Sequence, residues 1–485
     1  MIRALTFALA LSVSAAQAGT PGVDEPPAAQ AARAIVVPAM TEQRLANGLT
    51  VASSMRSDLP LVSITLMVRA GPEQDPPDRS GLAALTAALL TKGFQRGSAS
   101  ISATALAQQA EALGNTLDSS SGWRASSLGM TVTSAHLPAA LGLMTQALRQ
   151  PTLASDELER ARAQALDGLR VALGDPAEVA SHVMRRAFWG ASPFGASPTA
   201  ASLARISRAD VQRFHARFYR PEQTVLVLVG DVSPATALAL ANKLLGEWRP
   251  ATVAPSDSPI LTTTTATALP ALVRVDMPGS GQTAMVVAAP FVGSGAPERR
   301  IGQVANAVLG GGYSARLNQK VRIEGGKSYG AFSQVESQPD AGALLAVTQT
   351  QHATAAEVLA ILRGEIVRLA DAPPSAEELS ARSANLAGSF ARRLGSNAGV
   401  AALMLGQYAQ GRPLDELRRY VADIAAVTPT QVQSFASSHW SASALRAVVA
   451  GDLQAAGVAL DEPGALSVSL TALDLASPGL LGKPP

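Results

Sequence analysis

The stretches "VQRFHARFY" (211–219) and "VQSFASSHW" (432–440) share valine, glutamine and phenylalanine at their first, second and fourth positions. Before each stretch stands a helix N-cap residue that a polar residue follows three positions later, the pattern of a capping box. The two pairs are Ser207 with Asp210 and Thr428 with Gln431. The sequence therefore predicts the same capped helix twice, with Pro429 in the first turn of the second copy.

The offset from Val211 to Val432 returns on both sides of these helices. Behind them, the apolar runs "VLVLVGDV" (225–232) and "LRAVVAGDL" (445–453) are typical of strands, and both reach a Gly-Asp pair. In front of them, "GLAALTAALLTKG" (81–93) and "GQVANAVLGGG" (302–312) are typical of helices that follow a glycine. Because three separated places share one offset, the chain is predicted to be a duplicated unit.

Each half contains both strands and amphipathic helices, which predicts an α+β fold of two homologous halves. Between them, residues 250–268 are rich in proline and threonine and show little periodicity, as expected of a linker. The predicted divisions are a tail at 19–41, an N-terminal domain at 42–249, a C-terminal domain at 269–465 and a second tail at 466–485.

The composition excludes one class of function. Hydrophobic residues make up 47% of the 485 residues and charged residues 16%, and lysine plus arginine exceed aspartate plus glutamate by only two. No block of like charges interrupts the chain, so that a basic nucleic-acid-binding surface is not expected.

The start of the chain, residues 1–18, has the layout of a secretory signal peptide. Arg3 precedes an apolar run from Leu5 to Val13, and Ala16-Gln17-Ala18 forms a cleavage site of small residues. A single membrane span would need about 20 apolar residues, more than this run supplies. Cysteine is absent, which excludes disulfides and a lipidated cysteine. We therefore expect an exported, periplasmic protein with no membrane anchor after cleavage.

In chain order, these landmarks resemble the pitrilysin/insulinase family of zinc peptidases over residues 42–465. "RLANGLTV" (44–51) is similar to the family's opening strand, and residues 61–93 are similar to its second strand, acidic loop and metal helix. The "SPFG" turn (192–195) and the strand ending at Gly230-Asp231 follow the later pattern. The resemblance implies two homologous α/β-roll halves that form a clam shell with a partner subunit around a peptide.

Active members of that family carry H-x-x-E-H on the metal helix, where two histidines bind zinc and the glutamate is the general base. The resemblance places Ala84, Ala87 and Ala88 at these positions. The third ligand, a glutamate, falls near Asp167 or Gly168, and Gly168 is taken as the degenerate position. Asp167 could bind a metal in principle, but a lone carboxylate is more often a solvated helix residue. The resemblance thus implies a degenerate metal site and no cofactor bound by this chain.

The remaining sequence offers no obvious replacement for that site. The five histidines are separated by more than four residues from one another, and those on predicted helices, His215 and His439, are expected at the surface or at helix ends. No G-x-S-x-G motif is present. "EGGKSYG" (324–330) ends like a phosphate loop, but Val321 stands where the Walker A motif needs glycine.

The segment 309–335, "LGGGYSARLNQKVRIEGGKSYGAFSQV", follows the family pattern in the second half. It predicts a helix from Tyr313 to Glu324, a turn at Gly325-Gly326 and a strand that contains Tyr329.

In this segment, family members carry an arginine and, seven residues on, a tyrosine that reach the substrate beside the zinc of the other half. The resemblance places Arg322 and Tyr329 at these two positions, with Arg316 also in pattern, although "GGKS" departs from the family's usual apolar residue before the tyrosine. The alternative is that Arg322 caps the carbonyl groups of its own helix and that Tyr329 is an ordinary strand aromatic.

A chain with the substrate-binding pair and no zinc ligands is expected to be the non-catalytic subunit of a heterodimeric peptidase. A homologous partner would supply H-x-x-E-H and zinc, Arg322 and Tyr329 would act in trans, and the substrates would be unfolded peptides. Two other interpretations remain open: a structural or assembly subunit in which the pair is a relic, and a peptide-binding module that does not cleave. A single-chain peptidase is disfavoured, because nothing replaces three ligands.

Overall fold

The computed structural model describes residues 34–249, 269–457 and 460–482. The predicted signal peptide (1–18) and linker (250–268) lie outside these residues. None of the described helices is long and apolar enough to cross a membrane.

The first half alternates strands and helices from Thr41 to Leu245. Its elements are β1 Thr41–Arg44, β2 Thr50–Met55, β3 Leu61–Val68, α1 Leu82–Leu89, β4 Gly93–Arg96, β5 Ala99–Ser102, α2 Ala103–Glu111, β6 Asp118–Ser121, β7 Ser126–Thr133, α3 Leu137–Arg149, α4 Ser155–Leu173, α5 Pro176–Trp189, α6 Ala200–Arg205, α7 Arg208–Phe218, β8 Thr224–Gly230 and α8 Pro234–Leu245.

The second half repeats most of this succession; its described residues hold no counterpart of β1 or of the β4–β5 hairpin, and it adds a strand near its end. Its elements are β9 Leu272–Asp276, β10 Thr283–Val292, α9 Arg299–Leu309, α10 Arg316–Asn318, β11 Ala331–Ser337, β12 Ala341–Thr350, α11 Ala355–Asp371, α12 Ala376–Leu394, α13 Asn397–Ala409, α14 Glu416–Ala425, α15 Pro429–His439, β13 Arg446–Gly451, α16 Leu453–Ala456 and β14 Leu466–Ser469.

The sheets confirm the predicted duplication, because corresponding strands lie in the same order and register. The orders β2-β8-β3-β7-β6 and β9-β13-β10-β12-β11 match one to one. In the parallel pairs, Thr50 is opposite Val225 and Leu272 is opposite Ala447, so that the partners have the same separation along the chain in both halves. Because a slip of one residue would turn every side chain to the other face, equal register means that equivalent residues share a face.

The repeated helices also confirm the predicted capping. Ser207 and Thr428 each accept a hydrogen bond from the backbone N–H three residues on, and Asp210 and Gln431 accept one from the cap residue in return. Helix α12 begins and ends at the same offset from α4 as α15 does from α7. The equivalent capping boxes of α7 and α15 fix the entry of the chain into these two helices, whereas α12 is capped by Ser375 and α4 has no side-chain cap.

The two halves exchange one helix, which the sequence did not predict. Helix α5 of the first half packs on β9, β10 and β13 of the second, and α13 of the second half packs on β3 and β8 of the first. Alternate residues of β10 therefore face different partners: Met285 and Val287 face the second half's own helices, while Ala284 and Val286 face α5. Each sheet is covered on both faces, one of them by a helix of the other half.

The predicted tail at 466–485 is wrong for its described part. Residues Leu466–Ser469 form β14, which pairs in parallel with β9 as an edge strand. Farther on, Leu475 and Leu480 are buried in the cluster that contains α5, and the carbonyl of Leu475 accepts a hydrogen bond from Arg186. The composition of this segment is typical of a loose tail. The burial of its few apolar side chains against the rest of the chain nevertheless holds it in a defined position.

The exchanged helix should contribute strongly to stability. Met184 of α5 is 1% exposed among apolar residues of the second sheet. Its replacement by alanine leaves a cavity, so we expect Met184→Ala to lower the free energy of unfolding by about 2–5 kcal/mol, measured by urea unfolding followed by circular dichroism.

The matched control is Val171→Ala on the adjoining helix α4, where the side chain is 77% exposed. It should change the free energy of unfolding by no more than about 0.5 kcal/mol. Equal effects of the two variants would show that α5 does not hold the halves together.

Candidate functional site

Helix α1, at the position of the family's metal helix, starts from a constrained turn. Gly81 precedes it with φ of +106°, a conformation that favours glycine. The carboxylate of Asp75 accepts hydrogen bonds from the N–H groups of Gly81 and Ala83, both at 2.8 Å. Burial raises the pKa of Asp75 to about 7 although these bonds favour its ionised form. The acidic loop thus has a structural role: it fixes the start of α1.

The three residues at the H-x-x-E-H positions do not offer a donor atom. Ala84 is exposed and Ala88 half-buried, one turn apart on the same face, and Ala87 is 1% exposed in the core. A methyl group has no lone pair and cannot coordinate a metal. These positions do not fit zinc.

The predicted third position does not supply a ligand either. Asp167 and Gly168 are both exposed, and Asp167 is engaged in an ion pair of 2.7 Å with Arg170 of the same helix. The side chains of α4 that pack in the first-half core include Leu158 and Ala161. Within the described residues, no group of three histidine, aspartate or glutamate side chains is arranged to hold a metal ion.

The histidines take part in structural bonds. His352 lies within 2.8 Å of both the Thr283 hydroxyl and the Ser280 carbonyl. His215 lies 2.8 Å from the carbonyl of Leu148, and burial lowers its pKa. Of the surface and cap roles expected for His215, the structure has the second: the ring contacts a carbonyl in the last turn of α3 and so ties α7 to the end of that helix.

The arginine and tyrosine singled out in the second half are held by an unusual turn. The sequence predicted a helix that begins at Tyr313, but α10 begins at Arg316. It continues as a π-helical turn over Gln319–Glu324 that carries Arg322. π-Helical turns are frequent at functional sites. Tyr329 follows in a bend before β11, so the prediction that it lies inside the strand is wrong.

Tyr329 projects from this bend into solvent, with 89% of the residue exposed. The guanidinium of Arg322 lies 4.9 Å from the centre of the Tyr313 ring, a cation–π contact. The exposed patch, defined as Tyr313, Ile323, Tyr329 and Phe332, thus surrounds Arg322 in sequence; its members are between 42% and 89% exposed. Several large exposed apolar side chains within one short segment favour an interaction site.

Sequence reasoning missed the residue that supports this patch. Asn318 is fully buried; its amide donates to the carbonyl of Tyr313, and its side-chain oxygen accepts from the N–H of Ala331 at 3.2 Å. It therefore ties the start of the segment to the start of β11. An asparagine inside an apolar helical pattern was the available signal, since buried amides need partners.

Arg316, the third residue in the family pattern, has a structural contact. Both its Nε and its Nη2 lie 2.8 Å from the carboxylate of Glu378 on α12. Such a bidentate pair is among the stronger hydrogen-bonded contacts and raises the pKa of Arg316. Arg316 anchors the helix, whereas Arg322 and Tyr329 remain accessible.

Comparison with known proteins gives consistent results. The family description "Insulinase (Peptidase family M16)" matches residues 50–197, and "Peptidase M16 inactive domain" matches residues 205–386. A sequence named as an uncharacterised zinc protease of Mycobacterium tuberculosis is 27% identical over 307 residues, 62% of this chain and 68% of that protein. Another from Streptomyces coelicolor is 21% identical over 400 residues, 81% of this chain and 85% of that one.

Solved structures agree with the fold. The peptidase M16 inactive domain from Pseudomonas fluorescens has a TM-score of 0.76 at 24% identity, covering 85% of this chain and 98% of that one. A protease from Helicobacter pylori also has a TM-score of 0.76, at 17% identity, covering 85% of this chain and 100% of that one. With the duplicated halves, these matches show that the chain belongs to the pitrilysin/insulinase (M16) family of peptidases, as an inactive member.

Proposed function

We propose that this chain is the non-catalytic, substrate-binding subunit of a heterodimeric, exported zinc metallopeptidase that acts on unfolded peptides. The observation that carries the proposal is Tyr329, whose side chain extends into solvent beside the π-helical turn of Arg322. A homologous partner would supply H-x-x-E-H and the zinc ion, which would polarise the scissile carbonyl.

Arg322 and Tyr329 are suited to a task that does not need a metal on this chain. When a peptide bond is hydrolysed, its carbonyl oxygen gains negative charge. The Tyr329 hydroxyl can donate a hydrogen bond to that oxygen, and the Arg322 guanidinium, planar and charged, can hold a neighbouring backbone carbonyl. The cation–π contact with Tyr313 limits the freedom of Arg322, so that less entropy is lost when a peptide binds.

The exposure of the patch favours a working pair over a relic. Tyr329 is 89% exposed, and among the described residues no partner forms a hydrogen bond with its hydroxyl. A structural subunit would gain nothing from a tyrosine that is 89% exposed to solvent. A peptide-binding module that does not cleave would use the same patch, and turnover with a partner distinguishes it from the proposed subunit.

The first expected outcome concerns zinc. The purified chain should contain far less than one zinc per molecule by elemental analysis after dialysis, because alanine at positions 84, 87 and 88 cannot coordinate. The matched comparison is the triple variant Ala84→His, Ala87→Glu, Ala88→His, which restores three of the four groups. One tightly held zinc in the wild type would overturn this expectation.

The second expected outcome concerns catalysis with a zinc-bearing partner. Tyr329→Phe removes only the hydroxyl, so complex formation should be unchanged while kcat for a quenched peptide falls about 10²–10³-fold. The loss should appear in kcat more than in KM, because the bond forms as charge develops. Arg322→Ala should lower kcat/KM as well.

The matched control is Tyr313→Phe, which keeps the ring beside Arg322 and removes a hydroxyl that the mechanism does not use. It should retain wild-type turnover. If Tyr329→Phe and Arg322→Ala also retained it in a complex of unchanged stoichiometry, the pair would be a relic and the chain a structural subunit.

A further inference from the structure

The duplication lets one half serve as a reference for the other at the start of α1 and of α9. Gly81 directly precedes α1, whereas Gly302, at the same offset that relates α7 to α15, lies inside α9, which begins three residues earlier at Arg299. At that offset Asp75 corresponds to Ala296, Asp78 to Arg299, Arg79 to Arg300 and Asp210 to Gln431. Three acidic positions of the first half are thus neutral or basic in the second.

In the first half, carboxylates pair with the backbone N–H groups at the start of α1 and with the guanidinium group of Arg79. Asp75 accepts hydrogen bonds from the first turn of α1, as described above. The Nε of Arg79 lies 3.4 Å from Asp210, and its Nη1 lies 3.0 Å from Asp78. Arg79 and Arg213, which also pairs with Asp210, are therefore balanced by the two carboxylates of Asp78 and Asp210.

In the second half, the equivalent carboxylates are missing and arginines have accumulated. The first turn of α9 has no side-chain cap among the described residues. One carboxylate, Glu416, is shared by three arginines: Arg299 at 3.7 Å, Arg300 at 3.6 Å and Arg412 in direct contact. The side chains of Arg299 and Arg412 are each only 7% exposed. No hydrogen bond links the Arg299 guanidinium to another described residue.

These arginines repel one another in a partly desolvated setting. Burial, followed by repulsion from Arg300 and Arg412, lowers the pKa of Arg299 to about 9. Burial and repulsion from Arg300 lower the pKa of Arg412 to about 10. Burying three guanidinium groups that share one carboxylate is costly, and an anion that binds between them would relieve the cost.

A cavity of about 440 Å³ opens beside the cluster, between the start of α9 and α14. Four arginines line it, Arg419 being the fourth, against two carboxylates, Glu416 and Asp423, which leaves an excess of two positive charges. We propose that this cavity binds a phosphate-type dianion. The charge excess matches a dianion rather than a single carboxylate, and guanidinium forks bind phosphate oxygens in pairs. This site is independent of the proposed peptidase role.

The test is titration of the full-length purified chain with inorganic phosphate by isothermal calorimetry, at constant ionic strength set with chloride. We expect saturable binding at one site, together with a rise in the midpoint of thermal unfolding as phosphate is added. Arg300→Gln should weaken binding about tenfold or more, since it removes a charged donor.

Two controls separate a built site from general charge. Arg418→Gln removes an equal charge from α14, the helix on the other side of the cavity, but Arg418 is 55% exposed and does not line the cavity; binding should be unchanged. Ala296→Asp places the carboxylate of the first half at the equivalent position and should abolish binding, whereas Ala296→Asn should leave it. Unfolding curves of each variant identify any loss of fold.

A second arm distinguishes the source of the phosphate group. Glycerol 3-phosphate in place of inorganic phosphate should bind at the same site, and tighter binding would identify the ligand as a phosphorylated small molecule. The proposal is overturned if neither compound gives saturable binding, or if Arg300→Gln and Arg418→Gln weaken binding equally.

Discussion

The structure depends on the mutual covering of two sheets by helices from the opposite half. A strand such as β8, buried along its entire length, needs apolar cover on both faces of its sheet. Each half supplies helices for one face only, and α5 and α13 cover the other face of the opposite sheet. The halves consequently fold as one unit, in which equivalent residues occupy equivalent environments. This arrangement is the reason why the start of α1 and the start of α9 can be compared residue by residue.

The two coverings differ in character. Helix α5 meets the second sheet through an almost wholly apolar contact that includes Val183, Val286 and Val448. The opposite contact is partly polar: the amide of Asn397, at the start of α13, donates to the carbonyl of Leu61 at 3.0 Å, and Arg56 donates to the carbonyl of Leu394 at 2.7 Å. Apolar burial supplies most of the association free energy, while directional hydrogen bonds set the relative position of the halves.

Local patterns in the sequence predicted local structure and the duplication. The caps at Ser207 and Thr428 and the apolar runs depend on neighbouring residues, so that a short window holds the information. The exchange of α5 could not be predicted, because periodicity shows that a helix is amphipathic but not which sheet covers it. The same reason explains the errors at Tyr329 and at 466–485: the end of a π-helical turn and the burial of Leu480 depend on distant partners.

The candidate sites followed a similar division. Whether a side chain can coordinate a metal depends on its residue type, so the sequence alone shows that Ala84 offers no ligand atom. The arginine cluster could not be predicted in this way, because Arg299 and Arg412 lie far apart in the chain. They come together only because α14 packs against α9. The duplication allows the two copies of the scaffold to be compared. The acidic residues Asp75, Asp78 and Asp210 are replaced by neutral or basic residues in the second copy, although the fold is the same. The proposed anion site rests on this difference in charge at matched positions, since the first-half carboxylates are engaged in structural contacts and the second-half arginines share one carboxylate.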